Sequence, residues 1–124
     1  MLKGTLQDLV FEKNILKKHI YDTTCEAFAL FRSTARDIIQ SLLDDPRAKK
    51  EDMRISFHDR GDFEFEVRFG SDVLVFLMHT NVFEFSRDHQ VMRTPYIREN
   101  TSRSFCGVIQ IYIFLADSFD YNRD

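Results

Sequence analysis

Two thiols and four imidazoles are the side chains of this sequence best suited to nucleophilic or acid–base chemistry. Partners in catalysis can be far apart in sequence, so spacing alone does not exclude a cysteine–histidine pair. Both thiols, however, lie beside apolar stretches, where a thiol stays protonated and unreactive. We expect two free thiols in a reducing cytoplasm, although the sequence leaves a disulfide between them open. The residues concerned are Cys25 and Cys106, with His19, His58, His79 and His89.

Motifs for nucleotides and for clustered metal sites are missing from the sequence. The four glycines stand too far apart for a phosphate-binding loop, and neither Gly-Lys-Ser nor Gly-Lys-Thr occurs. Cysteine-rich zinc sites need paired ligands at short spacing, which two distant cysteines do not provide. From these observations we expect a protein that is not an enzyme and that carries no cofactor and no metal.

The densest acidic group surrounds one predicted hairpin and includes His58. Clustered carboxylates can bind a divalent cation or serve a nuclease. Here the alternation of apolar and polar residues places Glu64 and Glu66 on the polar face of a strand, where arginines can pair with them. We therefore interpret the group as a solvated hairpin tip and a polar strand face. Its members are Asp59, Asp62, Glu64 and Glu66, and the pairing arginines are Arg54 and Arg68.

A long polar loop over residues 86–104 combines arginines with a tyrosine. Arginine suits bidentate recognition of phosphate or carboxylate groups, and tyrosine can stack on a ligand. The loop also contains Asp88 and Glu99, so its positive charge is small and a solvated connection is the competing interpretation. The candidate residues for binding an acidic ligand or a protein partner are Arg87, Arg93, Arg98, Arg103 and Tyr96.

The N-terminal part has the apolar spacing of helix over residues 5–43. Thr23 followed by Glu26 fits a capping box, which predicts a boundary near residues 21–24 and hence two helices. Because neither Gly nor Pro interrupts this span, one long helix is the alternative. Pro46 ends the helical region, since proline disfavours helix in the residue before it.

Beyond these helices the period of the apolar residues changes from 3.6 to 2, which indicates strands. Gly61 is expected to end a three-residue hairpin loop that places Phe57 opposite Phe63. Gly70 is expected to open a two-residue turn that places Phe65 opposite Phe76. The predicted strands span residues 53–58, 63–69, 73–85 and 107–116.

Helices that precede a run of consecutive strands are typical of an α+β fold. We predict a single domain over residues 1–124, with an N-terminal helical pair packed on one face of an antiparallel sheet of about four strands. The residues expected to face the helices are Phe57, Phe63, Phe65, Val67, Leu74 and Phe76.

The second face of the predicted sheet is the most informative feature for function. It is polar on the first two strands but apolar on the third, through Val73, Val75 and Leu77, and on one face of the last strand, Val108–Leu115. One helical pair covers only one face, so either the long loop or a partner covers the other, and large exposed apolar patches commonly mark interfaces. We predict that these three residues form an interface and that the protein is a homo-oligomer.

Composition narrows the remaining classes of function. The net charge of −3 argues against a nucleic-acid-binding surface, and no apolar run reaches the length of a membrane span. The first eight residues lack the apolar core of a secretory signal, so we expect a cytoplasmic protein. The polar tail Asp117–Asp124 has no closing element, which raises the question of a longer natural protein. We predict a self-associating interaction or regulatory module; the alternative is a sensory-type domain that binds a small molecule between sheet and helices.

Overall fold

The computed structural model describes residues 5–51 and 53–117. The first four residues of the chain therefore lie outside the described residues. The predicted polar tail, Asp117–Asp124, also lies outside them except for Asp117. The chain divides into two compact units: the first combines its start, up to Cys25, with His79–Val108, and the second combines Glu26–Met78 with the segment from Ile109 onward. A single domain over the whole chain stays a prediction.

Helix α1, Leu6–Leu43, is one continuous helix of 38 residues. The predicted break near residues 21–24 is wrong, and the alternative of one long helix is confirmed. No Gly or Pro forces the chain out of the helix there, and the hydroxyl of Thr24 donates to the carbonyl of Ile20 at 2.7 Å within the same helix. The second helix, α2, is short and comes after the long one, at Pro46–Lys50, capped by the carboxylate of Asp45.

The second unit contains a four-stranded antiparallel sheet, which confirms the α+β fold class. Its strand order is β1-β2-β3-β6, so β1 and β6 are the edges. A two-stranded ladder of β4 with β5 belongs to the first unit. The strands are β1 Ile55–Asp59, β2 Glu64–Phe69, β3 Asp72–Met78, β4 Phe83–Glu84, β5 Phe105–Cys106 and β6 Ile109–Leu115.

The turn at Gly70 behaves as predicted, and the one at Gly61 does not. Gly70 has a φ of 58°, and the two-residue turn sets Phe65 opposite Phe76. In the β1–β2 hairpin Phe57 lies opposite Val67 instead of the predicted Phe63. The loop is shifted two residues along the chain. Each residue of β1 thus pairs with a β2 residue four positions further along than predicted. An even shift keeps every side chain on its face, so the apolar pattern is compatible with both registers.

The core of the second unit lies between α1 and the inner face of this sheet. Phe65 has no exposed surface and stacks on Phe76, with ring centroids 4.5 Å apart, while Phe28 of α1 covers it at 5.2 Å. Further along the helix, Ile39 forms a buried cluster with residues of β1 and β2, and Leu74 packs against that cluster. The period-2 pattern therefore identified the buried face correctly.

Two predicted boundaries in the first unit are wrong. The third strand ends at Met78 rather than at residue 85, because Thr80 and Asn81 bend the chain before β4. The predicted long loop over residues 86–104 holds three short helical segments: 3-10 turns at Gln90–Arg93 and Thr101–Ser104, and α3 at Pro95–Glu99. Polar side chains cap the two 3-10 turns: the imidazole of His89 accepts from the amide of Val91 at 3.1 Å, and the side chain of Asn100 accepts from the amide of Ser102 at 3.0 Å.

Candidate functional site

The predicted interface strip on β3 lies on the face opposite the core, as the two-residue turn requires, but it is not exposed. Val73 has no exposed surface and Val75 has 2%, and Leu77 and Ala116 pack against them. The premise that this strip awaits a partner is therefore wrong. What the sequence pattern could not show is that Ala116, just past β6, contacts these valines.

The exposed apolar surface lies one strand further, on β6. Its last five residues are all apolar or aromatic and all exposed, and Ile113 reaches 72%. Ile111 and Ile113 lie opposite Phe76 and Leu74 of β3, so they share the inner face of the sheet with the core. We call this surface the β6 edge; it comprises Ile111, Tyr112, Ile113, Phe114 and Leu115.

The backbone of β6 is also available on the side away from β3. The carbonyl of Val108 accepts from His79, and the amide of Ala116 donates to Ser71 at 2.7 Å. In an antiparallel strand the amide and the carbonyl of one residue point to the same side, and the side alternates from each residue to the next. Because Val108 and Ala116 direct these groups to the side of β3, the even-numbered residues of β6 bond β3. The amides and carbonyls of Ile111 and Ile113 therefore point away from the sheet, where the described part of the chain supplies no further strand.

Helix α1 leaves the inner face of β6 open. Arg36 lies over the ring of Phe57 at 4.9 Å, so the flank of α1 that carries Arg36 faces β1. Phe31 and Ile38 lie on the opposite flank by helical spacing, toward β6, and both are about half exposed. Phe31 and Ile38 are therefore exposed apolar residues of the second unit in addition to those of the β6 edge.

The arginine-rich segment does not form a single cluster of available cations. The guanidinium of Arg103 stacks on Tyr96 at 4.3 Å and bonds the carboxylate of Glu99 at 3.1 Å, so the predicted pair Arg103 and Tyr96 is engaged within the chain. Arg93 and Arg98 are exposed on separate short helical segments. Binding of an acidic ligand or partner there stays a prediction.

Arg87, the remaining predicted arginine, lines an open groove of about 920 Å³ in the first unit. Apolar side chains of α1 and of the segment after β4, such as Leu16 and Phe85, line it together with Phe105 of β5. Charged groups of both signs, including Lys13, stand in the same wall. Its volume falls within the range of small-molecule sites.

The acidic group around the first hairpin is exposed at the hairpin tip, at Asp59 and Asp62, as predicted, but Glu66 is not. Glu66 is fully buried on the outer face of the sheet, and its Oε1 accepts from Arg60 at 2.7 Å, with Arg68 at 3.9 Å. The other oxygen of Glu66, Oε2, has no hydrogen-bond partner. Among the described residues, no group of three His, Cys, Asp or Glu side chains could hold a metal ion.

Both thiols belong to the first unit and are free, as predicted. Cys25 and Cys106 are half-buried rather than buried. In the described part of the chain, neither thiol forms a hydrogen bond with a histidine, which is the contact expected of a nucleophile and its base. The ring of His79, one of the candidate bases, packs edge-on against the ring of Phe83, with centroids 5.6 Å apart.

Comparison of the chain with protein-family models, with curated proteins and with solved structures gave no match. In the described residues, no helix combines the length and the apolar character that crossing a membrane requires, α1 included. The β6 edge is thus the feature that the molecule itself offers as a site. The sequence pattern had indicated an apolar face on this last strand but had not placed it among the interface residues.

Proposed function

We propose that this protein is a non-enzymatic interaction or regulatory module of the cytoplasm that forms a homodimer through its sheet. The observation that carries the proposal is the β6 edge, where five consecutive apolar or aromatic residues are exposed on an edge strand. Natural edge strands are usually shielded by charges, proline, bulges or shortness. From Ile109 to Leu115, β6 has no charged residue, Pro or Gly and is seven residues long.

The extent of this surface agrees with a protein interface. The β6 edge with Phe31 and Ile38 exposes on the order of 700 Å² of side chain, taking about 200 Å² for a whole large side chain. A standard interface buries about 800 Å² on each partner, and main-chain atoms of the edge would add to the side-chain area. The surface therefore supplies most of what a stable dimer needs.

Sedimentation velocity of the wild type over a range of concentration tests the proposal. We expect a monomer–dimer equilibrium, and we expect Ile113→Asp to remain monomeric because the charge would be buried without a partner. Ile15→Asp is the matched control, since Ile15 is the same residue type, is 69% exposed and lies on α1 in the first unit. A wild type that stays monomeric at hundreds of micromolar, or one that forms only heterogeneous aggregates, would contradict the proposal.

A second candidate function is binding of a small molecule in the groove of the first unit. Its mixed lining suits a mainly apolar ligand with a few polar groups. Adding fragments from a library to the isotope-labelled protein should shift the NMR resonances of Met92 and Phe105, both of which line the groove. Leu16→Trp, which fills the groove, should abolish those shifts. Fragments that bind the wild type and Leu16→Trp equally well would show that they bind outside this groove.

A further inference from the structure

We infer that the partner at the β6 edge is a second copy of this chain, whose own β6 pairs with it antiparallel about a two-fold axis. This inference rests on the proposed self-association and specifies its geometry. The two four-stranded sheets would join into one continuous sheet of eight strands, through main-chain hydrogen bonds rather than by stacking of faces.

The alternation of the backbone supports strand addition. The even-numbered residues of β6 bond β3, which leaves the amides and carbonyls of the odd-numbered ones directed at the free edge. Two of those odd-numbered residues, Ile111 and Ile113, also expose most of their surface. The same positions therefore offer hydrogen-bonding groups and apolar side chains, which is what an added strand uses.

The length of the strand selects one register. Tyr112 is the midpoint of Ile109–Leu115, so a two-fold axis at Tyr112 pairs all seven residues. In that register Ile111 of one copy lies opposite Ile113 of the other, and these are hydrogen-bonded pairs because both residues direct their groups outward. Moving the axis to Ile111 or Ile113 would leave residues at the ends of the strands unpaired.

The side chains are compatible with a symmetric pair. Like charges placed directly opposite each other destabilise antiparallel strands, and β6 contains no charge that symmetry could set against itself. On the inner face, the isoleucines of the added strand would meet the exposed isoleucines of β6, Ile111 and Ile113. A second copy thus covers this surface with the same apolar chemistry.

Proline substitution at the edge separates strand addition from packing of faces. Ile113→Pro removes an amide that makes no bond to β3 but would donate to the second copy, and proline is tolerated at such edge positions. We expect this variant to fold and to dissociate at least about tenfold more easily than the wild type, while Ile113→Val still dimerises. A dimer that survives Ile113→Pro but not Ile113→Asp would overturn strand addition and leave self-association standing. A monomeric wild type would overturn both.

Hydrogen exchange tests the inference without relying on that variant folding. In the wild type the amides of Ile111 and Ile113 should exchange at least about tenfold more slowly at concentrations where the dimer forms than in dilute monomer. Protection that does not change with concentration, in a protein that dimerises, would exclude pairing at this edge.

Cysteine trapping tests the register. In a Cys25→Ser, Cys106→Ser background, Tyr112→Cys should oxidise to a covalent dimer, because residues that face each other in a non-hydrogen-bonded pair have Cα atoms about 4.5 Å apart. Ile111→Cys is the control and should cross-link far less. Preferential cross-linking of Ile111→Cys would overturn the register with Tyr112 at the axis.

Discussion

Arg32 is the side chain that fastens the β1–β2 hairpin to α1. It pairs with the carboxylate of Asp59, donates to the carbonyls of Gly61 and Asp62 at 2.8 and 2.9 Å, and lies over the rings of Phe28 and Phe65. Its side chain is only 15% exposed, so these contacts are poorly replaced by water. A planar guanidinium serves all of these partners at once, which a lysine ammonium could not.

Replacing Arg32 with Met should therefore lower the free energy of unfolding by about 2–3 kcal/mol, the range for hydrogen bonds to charged groups. Arg36→Met is the control, because Arg36 is 53% exposed and reaches Asp59 only at 3.5 Å; its loss should cost less than about 1 kcal/mol. Urea unfolding measures both. Equal losses at the two positions would show that Arg32 does not hold the hairpin.

Asp45 has an unusual acidity that can be traced to one neighbour. Hydrogen bonds from the side chain and the amide of Arg47 lower the pKa of Asp45 from 3.8 to about 2, and they also cap α2. Because the folded pKa is lowered, the cap contributes fully above pH 3.8 and is lost as the pH falls toward about 2. A ¹³C titration of the carboxyl group should show this pKa, and Arg47→Ala should move it back toward the ordinary value. An unchanged pKa in that variant would contradict the assignment to Arg47.

At the scale of elements, Gly107 marks where the chain before β6 comes close to α1. A Cβ at this position would overlap the side chain of Thr24, although Gly107 has no positive φ. We expect Gly107→Ala to destabilise the first unit by more than about 1 kcal/mol, as overpacking does, and Thr24→Ala to recover part of the loss. Gly70→Ala is the control for backbone effects, since a Cβ there meets nothing within 4 Å and only φ is strained.

Amide exchange in β4 and β5, compared with exchange in β2, would locate the effect of Gly107→Ala. Faster exchange confined to the first unit is the expected result. If Gly107→Ala exchanges like the wild type throughout, the close approach to Thr24 does not constrain the fold.

The elements also show what the sequence can and cannot predict. The face of each strand and the turn at Gly70 follow from local rules, the period of two and the tolerance of glycine for positive φ, and both are confirmed. The register of the first hairpin was not predictable from that pattern, because an even shift of the pairing, here by four residues, preserves both faces. Arg32, far away in sequence, is among the contacts that hold the loop in its observed place.

The candidate site was predictable only in part, for a related reason. Alternation indicated that Val73 and Val75 share an outer face, which is correct, but exposure depends on what else lies against them. Ala116, remote in sequence, is in contact with this strip, while α1 leaves Ile113 uncovered. Of the two predictions for the helical region, the break was wrong and the single long helix was right, because Thr23 and Glu26 can form a capping box only where the chain leaves the helix, and nothing in residues 21–24 makes it do so.

At the scale of the whole molecule, self-association and folding stability are thermodynamically linked. If only the folded chain binds a second copy, a higher protein concentration stabilises the native state, and Tm must rise with concentration. The exposed apolar residues of β6 in the second unit are the surface on which this linkage would act.

We expect the wild type to gain about 2–4 °C in Tm for each tenfold increase in concentration above the dimer dissociation constant, because such an increase adds about 1.4 kcal/mol per mole of dimer, shared between two chains. Ile113→Asp should have a lower Tm that is independent of concentration, since its edge cannot be buried. Ile15→Asp should follow the wild-type slope, because Ile15 lies outside the β6 edge.

Calorimetric scans of the three proteins from about 5 to about 500 µM measure how Tm depends on concentration. A flat wild-type curve would mean that the folded chain does not bind its own copy, whereas parallel slopes for all three would place the dimer contact on a surface other than β6.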